Sequence, residues 1–204
     1  MIIDKTTYKL TENNYIPIEC IKTQIVLAQT FNHDMKHIIG WKNRLNGKTK
    51  KTAAFTIDVS GLVYNHFDSR YLSRFFNDLE IDTKSIVILL ENDGWLVNND
   101  NNEFITWVGD IYINQDEVVE KKWRNQKFWA PYTQEQFDSA VKLVSLLCDE
   151  FYIPKTIPNH NTKFDLVGYQ GVIYKSNIDK HYTDLNPTWD FGEFKNKIEE
   201  KQKR

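Results

Sequence analysis

The sequence predicts an α/β fold, a mixed central β-sheet flanked by helices on both faces. Three observations carry this. Short apolar runs with strand character recur at 24–30, 85–92 and 169–177. Segments with helical spacing lie between them, the clearest at 132–154. The 204-residue chain is 41% hydrophobic and 26% charged, a globular composition long enough for one sizeable core. Strands that alternate with helices place a mixed sheet between helical layers.

"QIVLAQT" (24–30) is a continuous apolar run and reads as a buried strand. "DMKHIIGWKNRLNG" (34–47) spaces Met35, Ile38, Ile39 and Leu45 as a helix does, with Asp34 as its cap and Gly47 as its stop. "TAAFTIDVSGLVYNHF" (52–67) reads as a hairpin around Val59-Ser60-Gly61. "DSRYLSRFFN" (68–77) suggests a short helix, and "SIVILLEN" (85–92) a second buried strand. "GWLVNNDNNEFITWVGDIYI" (94–113) reads as another hairpin turning at its Asn/Asp cluster. "NQDEVVEKKWRNQKFWAPY" (114–132) reads as an irregular, aromatic excursion. In "YTQEQFDSAVKLVSLLCDEFYIP" (132–154), Phe137, Ala140, Val141, Val144, Leu147 and Phe151 fall on one helical face. Thr133 and Gln136 have capping-box spacing, and Pro154 closes the segment. "YQGVIYKSN" (169–177) is a closing core strand, and "DFGEFKNKIEEKQKR" (190–204) a C-terminal helix fraying into a basic tail.

A net charge of −2 gives no global reason to expect a nucleic-acid or membrane partner. No run approaches the ~18 apolar residues of a membrane span, and residues 1–15 lack a secretory signal's basic start and apolar core. Synthesis in the cytoplasm without a signal peptide is therefore expected. Cys20 and Cys148 read as two reduced, buried thiols.

Candidate chemistry is sparse. "HDMKH" (33–37) has the spacing of a metal-binding helix pair, but a helix capped by Asp34 leaves His33 outside it, so ordinary surface histidines are expected. His66 reads as structural. His160 lies in the polar loop "IPNHNTKFD", where a turn-bonded or solvent-facing ring competes with a site role. Trp107, Trp123, Phe128, Trp129 and Tyr132 read as core and loop packing, with ligand stacking as the alternative. There is no Gly-rich phosphate loop and no nucleophile elbow. In "GVIYKSNIDKHYTDLNPTWDF" (171–191), a strand delivers Lys175, Ser176 and Asn177, then His181, Tyr182 and Asp184, to the rim of a groove.

In order and spacing, "IVLAQT", the 52–64 hairpin, "SIVILLEN", the 132–154 helix and the 171–191 segment resemble the zinc-dependent N-acetylmuramoyl-L-alanine amidases that share a fold with peptidoglycan-recognition proteins. The resemblance spans roughly residues 22–195, so residues 1–21 read as an N-terminal extension and 22–204 as the amidase-like domain. Its Asn- and Lys-rich wording is similar to phage versions. The resemblance implies three zinc ligands, and their positions fall on Ala28, Lys175 and Asp184. The family's acid falls on Leu89, its hairpin histidine on Ala54, and the lysine that often precedes the third ligand on Tyr182. Ala28 has no lone pair. A lysine ligates only as the neutral amine, which near pH 7 costs about 4.6 kcal/mol before any bond forms. No zinc or other cofactor is therefore expected, and Lys175 is expected to pair with Asp184 in place of the metal. Gln29, Glu91, His160 and His181 remain groove candidates, although Gln29 faces the other side of its strand; a displaced metal site would be built from His160, His181 and Asp184, with Glu91 able to serve it.

Three readings follow. One is a pseudoenzyme that binds peptidoglycan, or serves as a phage structural or host-interaction protein, carried in the virion or released at lysis. The second is an active amidase with a relocated metal or a metal-free mechanism. The third is an interaction module that uses 115–132.

Overall fold

The computed structural model describes residues 1–163 and 168–200. In chain order the elements are β1 (Ile3–Asp4), β2 (Ile16–Glu19), β3 (Gln24–Gln29), α1 (Lys36–Asn43), β4 (Phe55–Ile57), β5 (Val63–Asn65), β6 (Tyr71–Leu72), α2 (Leu79–Lys84), β7 (Ser85–Leu90), β8 (Trp95–Asn98), β9 (Phe104–Thr106), β10 (Val119–Trp123), β11 (Gln126–Trp129), α3 (Gln134–Phe151), β12 (Gly171–Tyr174) and α4 (Phe191–Glu200).

The main sheet runs β1-β5-β4-β7-β3-β12. It is mixed: β4 and β5 are antiparallel, and every other pairing is parallel. Every residue of β3, β7 and β12 is buried, as a parallel sheet covered on both faces requires. Ile38 and Trp41 of α1 pack into this core, as do Phe137, Ala140, Val141, Val144 and Leu147 of α3 and Phe194 and Ile198 of α4. Both halves of the α3 capping box are present: Thr133 Oγ1 accepts from Gln136 N–H at 3.1 Å, and Thr133 N–H donates to Gln136 Oε1 at 3.2 Å. The β4–β5 hairpin turns on Asp58, whose Oδ1 accepts from the N–H groups of Ser60 and Leu62. Gly61 there has φ 81°, and a Cβ would lie 2.6 Å from the Glu135 carbonyl oxygen, so α3 packs directly on the turn. Residues 1–21 add β1 to the sheet edge and bury Leu10 and Tyr15 in the main core.

Four local expectations are corrected. Residues 68–77 hold no helix but the short strand β6 (Tyr71–Leu72), antiparallel to β2, between turns. Asp68 captures the Arg70 guanidinium at 2.6 Å, and Tyr71 stacks on Tyr15 with ring centroids 5.4 Å apart. The helix comes one step later as α2, capped by Asp78, which accepts from Glu80 N–H and Ile81 N–H. Asp34 does not cap α1. It and Met35 are both left-handed (φ 54° and 53°), and the first donors are taken by remote side chains: Met35 N–H by Glu91 Oε1 at 2.8 Å and His37 N–H by Asn32 Oδ1 at 3.2 Å. The helix also ends at Asn43, before Gly47, leaving Leu45 outside it and exposed, while Ile39 within it points to solvent. Residues 119–129 are an ordered hairpin, β10–β11, joined to the β8–β9 hairpin in a second, four-stranded sheet. Its turn is Arg124-Asn125, both at positive φ, a conformation usually signalled by glycine. Finally, Cys148 is buried, its thiol pushed up to about 12 by desolvation, whereas Cys20 is only half-buried; both are free. The basic tail at 201–204 lies outside the described residues.

Candidate functional site

The main sheet lines up a row of side chains across its strands. Thr56 pairs with Leu89 and Leu89 with Ala28, and the β3–β12 register, Leu27 opposite Tyr174, sets Lys175 beside Ala28. Leu89 and Lys175 line a cleft of about 340 Å³ that runs along α1.

Lys175 follows β12 at the start of a short 3-10 turn, and Asp184 returns on the closing segment. Lys175 Nζ lies 3.2 Å from Asp184 Oδ2, which also accepts from Gln29 N–H at 3.1 Å. The Asp184 side chain is 0% exposed and that of Lys175 15%. Desolvation raises the Asp184 pKa above the ordinary carboxylate value, while Lys175, the Gln29 N–H and Arg124 pull it back. Asp184 Oδ1 is buried without a hydrogen-bond partner among the described residues. Three rings face the ammonium: Tyr182 at 4.5 Å, Phe75 at 5.7 Å and Phe31 at 5.9 Å from ring centroid to Nζ. The pair thus sits on an aromatic wall, where the cation is held both by the carboxylate and by ring faces.

The closing segment is tied down elsewhere. Ser176 N–H donates to the Asp184 carbonyl at 2.6 Å, and Asn177 donates to the Asn159 and Thr162 carbonyls. Arg124, at the β10–β11 turn, donates to the carbonyls of Ser176, Asp179 and Tyr182. Lys121 of β10 donates to the Pro187 carbonyl at 3.1 Å. The second sheet therefore clasps the segment that carries Asp184. Arg124 escaped the sequence reading; the only signal was a cation between two aromatic strands, too weak without the register.

Gln29 joins Lys175 in the cleft lining, and the other candidates disperse. The Gln29 side chain accepts from the Tyr132 hydroxyl, whose pKa burial pushes well above its usual value. The Glu91 carboxylate accepts from Met35 N–H and Val59 N–H and borders a different cavity, of about 620 Å³, with His33 and Asp93. His160 stacks flat on Phe191, centroids 3.9 Å apart, and His181 is exposed. Among the described residues no three His, Cys, Asp or Glu side chains converge as a metal site. The donor set at the three resembling positions does not fit zinc: an alanine, an ammonium, and a carboxylate whose Oδ2 is already shared by Lys175 and Gln29.

A buried polar chain lies on the far side of the row and corrects the expectation of surface histidines. His66 Nδ1 lies 2.9 Å from the Tyr8 carbonyl, Thr56 Oγ1 is 2.8 Å from His66 Nε2, and His37 Nε2 is 3.0 Å from Thr56 Oγ1. The carbonyl fixes His66 Nδ1 as the donor, so Thr56 donates to Nε2 and itself accepts from His37. Burial lowers His37 to about 3 and His66 to about 4, so both stay neutral. His33 instead meets Asp93 at 2.9 Å.

No family model matches the chain, and no characterised protein matches it by sequence. Solved structures do match. The N-acetylmuramoyl-L-alanine amidase LysC from Clostridium intestinale URNW superposes with a TM-score of 0.55 at 14% identity, over 97% of each chain. A mutant endolysin from Bacillus subtilis gives 0.56 at 14%, over 97% of this chain and 99% of that one. The Staphylococcus aureus hydrolase AmiA, solved with its ligand, gives 0.55 at 12%, over 98% of this chain and 83% of that one. The mixed sheet flanked by helices is thus the fold of N-acetylmuramoyl-L-alanine amidases. None of the described helices is long and apolar enough to cross a membrane.

Proposed function

We propose that this protein keeps the amidase groove as a binding surface and has lost zinc hydrolysis, acting as a pseudoenzyme on peptidoglycan fragments. The observation that carries this reading is the Lys175–Asp184 pair at 3.2 Å. A fixed positive charge stands where the resemblance puts a divalent ion. An ammonium neutralises the carboxylate, but unlike a metal it cannot bring a bound water to a pKa near 7. The solved neighbours, an N-acetylmuramoyl-L-alanine amidase and an endolysin among them, support the peptidoglycan partner and release at lysis, with carriage in a phage virion as the alternative setting. In this reading residues 22–204 are the binding domain and residues 1–21 an extension that packs along its edge.

The test combines metal content, muropeptide hydrolysis and pull-down on insoluble peptidoglycan. The expected result is no stoichiometric zinc, no turnover, and retention that falls in Lys175→Ala and Asp184→Ala. Stoichiometric zinc with turnover would instead establish an active amidase with a relocated metal. Retention unchanged by both substitutions would move the contacts out of the groove, toward a phage or host protein partner.

A further inference from the structure

We propose that the cleft along α1 binds the phosphate of a phosphorylated sugar, either free or as one unit of a phosphodiester-linked glycan. The inference rests on the reading of this cleft as the ligand groove and specifies what it takes.

Four cations line it, Lys36, Arg44, Lys51 and Lys175, and no Asp or Glu does. The whole chain carries a formal charge of −2, so this is a local excess rather than a background. Two of the cations are offset: Lys175 by Asp184 beneath it, and Lys36 by Asp110 at 3.7 Å. Arg44 and Lys51 make no ion pair or side-chain hydrogen bond among the described residues. Their positive charge is open to an anion, and a guanidinium and an ammonium lining one cleft suit phosphate oxygens.

Gly40 is the second, independent observation. It lies mid-helix on the cleft side of α1, one turn from Lys36 and Arg44. Its backbone does not need glycine, since an added Cβ would meet nothing nearer than Arg44 Nε at 3.9 Å. Alanine would fit and would favour the helix. The missing side chain leaves the cleft wall bare beside the Arg44 guanidinium, as a ligand atom approaching it would require.

The rest of the lining sets the size and shape. Trp107 is 52% exposed, yet its indole N–H is fixed by the Phe31 carbonyl at 2.9 Å, so a flat apolar ring is held at the rim. Such a ring offers its face to the C–H face of a sugar. A volume of about 340 Å³ is at the low end for small-ligand sites, roughly 300–1,000 Å³. It holds one sugar phosphate and not a run of nucleotides.

The experiment is calorimetric titration of the full chain with N-acetylglucosamine 1-phosphate, its phosphodiester-linked polymer, neutral N-acetylglucosamine and oligothymidylate. The phosphorylated sugar is expected to bind at least about tenfold tighter than the neutral one, the weight of a charge-assisted contact. Arg44→Gln with Lys51→Gln, and separately Gly40→Phe, are expected to weaken it about tenfold or more, with no loss of thermal stability since these positions are exposed or open and replacing Gly40 favours the helix. A polymer that binds more tightly than the monomer assigns the source as a glycan, and equal affinity assigns the free sugar phosphate. Equal affinity for the neutral sugar, indifference to Arg44→Gln/Lys51→Gln, or tighter binding of oligothymidylate would each overturn the proposal. Peptidoglycan stripped of phosphate polymers separates the two readings. If it is retained fully by the double variant, the phosphate inference fails and the peptidoglycan reading stands. If the sugar phosphate binds and stripped peptidoglycan does not, the reverse holds.

Discussion

Two buried carboxylates close the ends of the central strands, and they are held in different ways. Asp184 relies on a side-chain cation and one backbone N–H. Glu91 has no cation and accepts two backbone N–H groups, from Met35 and Val59. Desolvation raises both pKa values above the ordinary range. The first arrangement concentrates charge at the cleft wall. The second spends its acceptors on turns, seating the start of α1 and the β4–β5 hairpin. The first lies beneath a cation that lines the cleft along α1, and the second, although it borders the larger cavity, spends its oxygens on backbone turns.

The largest expected effect tests the first arrangement. Lys175→Met strands a fully buried carboxylate and should cost about 3–5 kcal/mol in urea unfolding near pH 7, less as acid protonates Asp184. Lys175→Met with Asp184→Asn should recover most of that loss, because the charge and its partner leave together. If the single variant is as stable as the parent, Asp184 does not depend on the cation and the contrast with Glu91 disappears.

Glu91→Gln should cost about 2 kcal/mol, since one of two backbone donors then faces an amide NH2. No compensating substitution on another side chain should rescue it, unlike the Asp184 case. Restoration of stability by any cation change in the cleft would show that the two carboxylates are coupled.

Titration separates both from the histidine chain. His37 and His66 are held near 3 and 4, against an unperturbed value of 6.5. The unfolded chain binds these protons first, so their stabilisation is complete above about pH 6.5 and is lost as pH falls. Each contributes a slope of at most ~1.4 kcal/mol per pH unit. Asp184 and Glu91 act in the opposite sense: their raised values favour the folded state in acid, and that contribution declines as pH climbs through them. Stability measured from pH 7.5 to 4.5 should therefore fall, and more shallowly in His66→Gln, which removes one of the two titrating rings. A His66→Gln profile parallel to the parent's would mean that His66 is not held neutral by burial.

The smallest effect lies on the Glu91 side. Thr133→Ala should cost about 1 kcal/mol in thermal or urea unfolding. Gln136, the other half of that cap, also donates to the Glu91 carbonyl at 2.7 Å, so the loss should spread to the α1 start as faster amide exchange at Met35.

What could be read from the residues follows the same division. β3, β7 and β12 announce themselves as unbroken apolar runs because both faces are covered, and Thr133/Gln136 sit at a fixed spacing. The β10–β11 hairpin was hidden because Arg124 and Asn125 take positive φ without a glycine. α1 departs from the expected bounds at its start because Met35 N–H goes to Glu91, a partner distant in sequence, and at its end because Leu45 and Asn46 take positive φ before Gly47 is reached. Lys175 and Asp184 could be named in advance only because the resemblance aligned them. The Arg124 contacts reach carbonyls more than 50 residues away, and the His37–Thr56–His66 chain needs α1 and Tyr8 packed against the β4–β5 hairpin, so no local pattern marks them.

Three main-chain oxygens of the closing segment hang from the single Arg124 guanidinium. The second sheet is therefore no detachable ornament. Trimming residues 95–129 to shrink the protein would also unlatch the stretch behind the ammonium, so any deletion intended to probe the outer hairpins will report on the pocket as well.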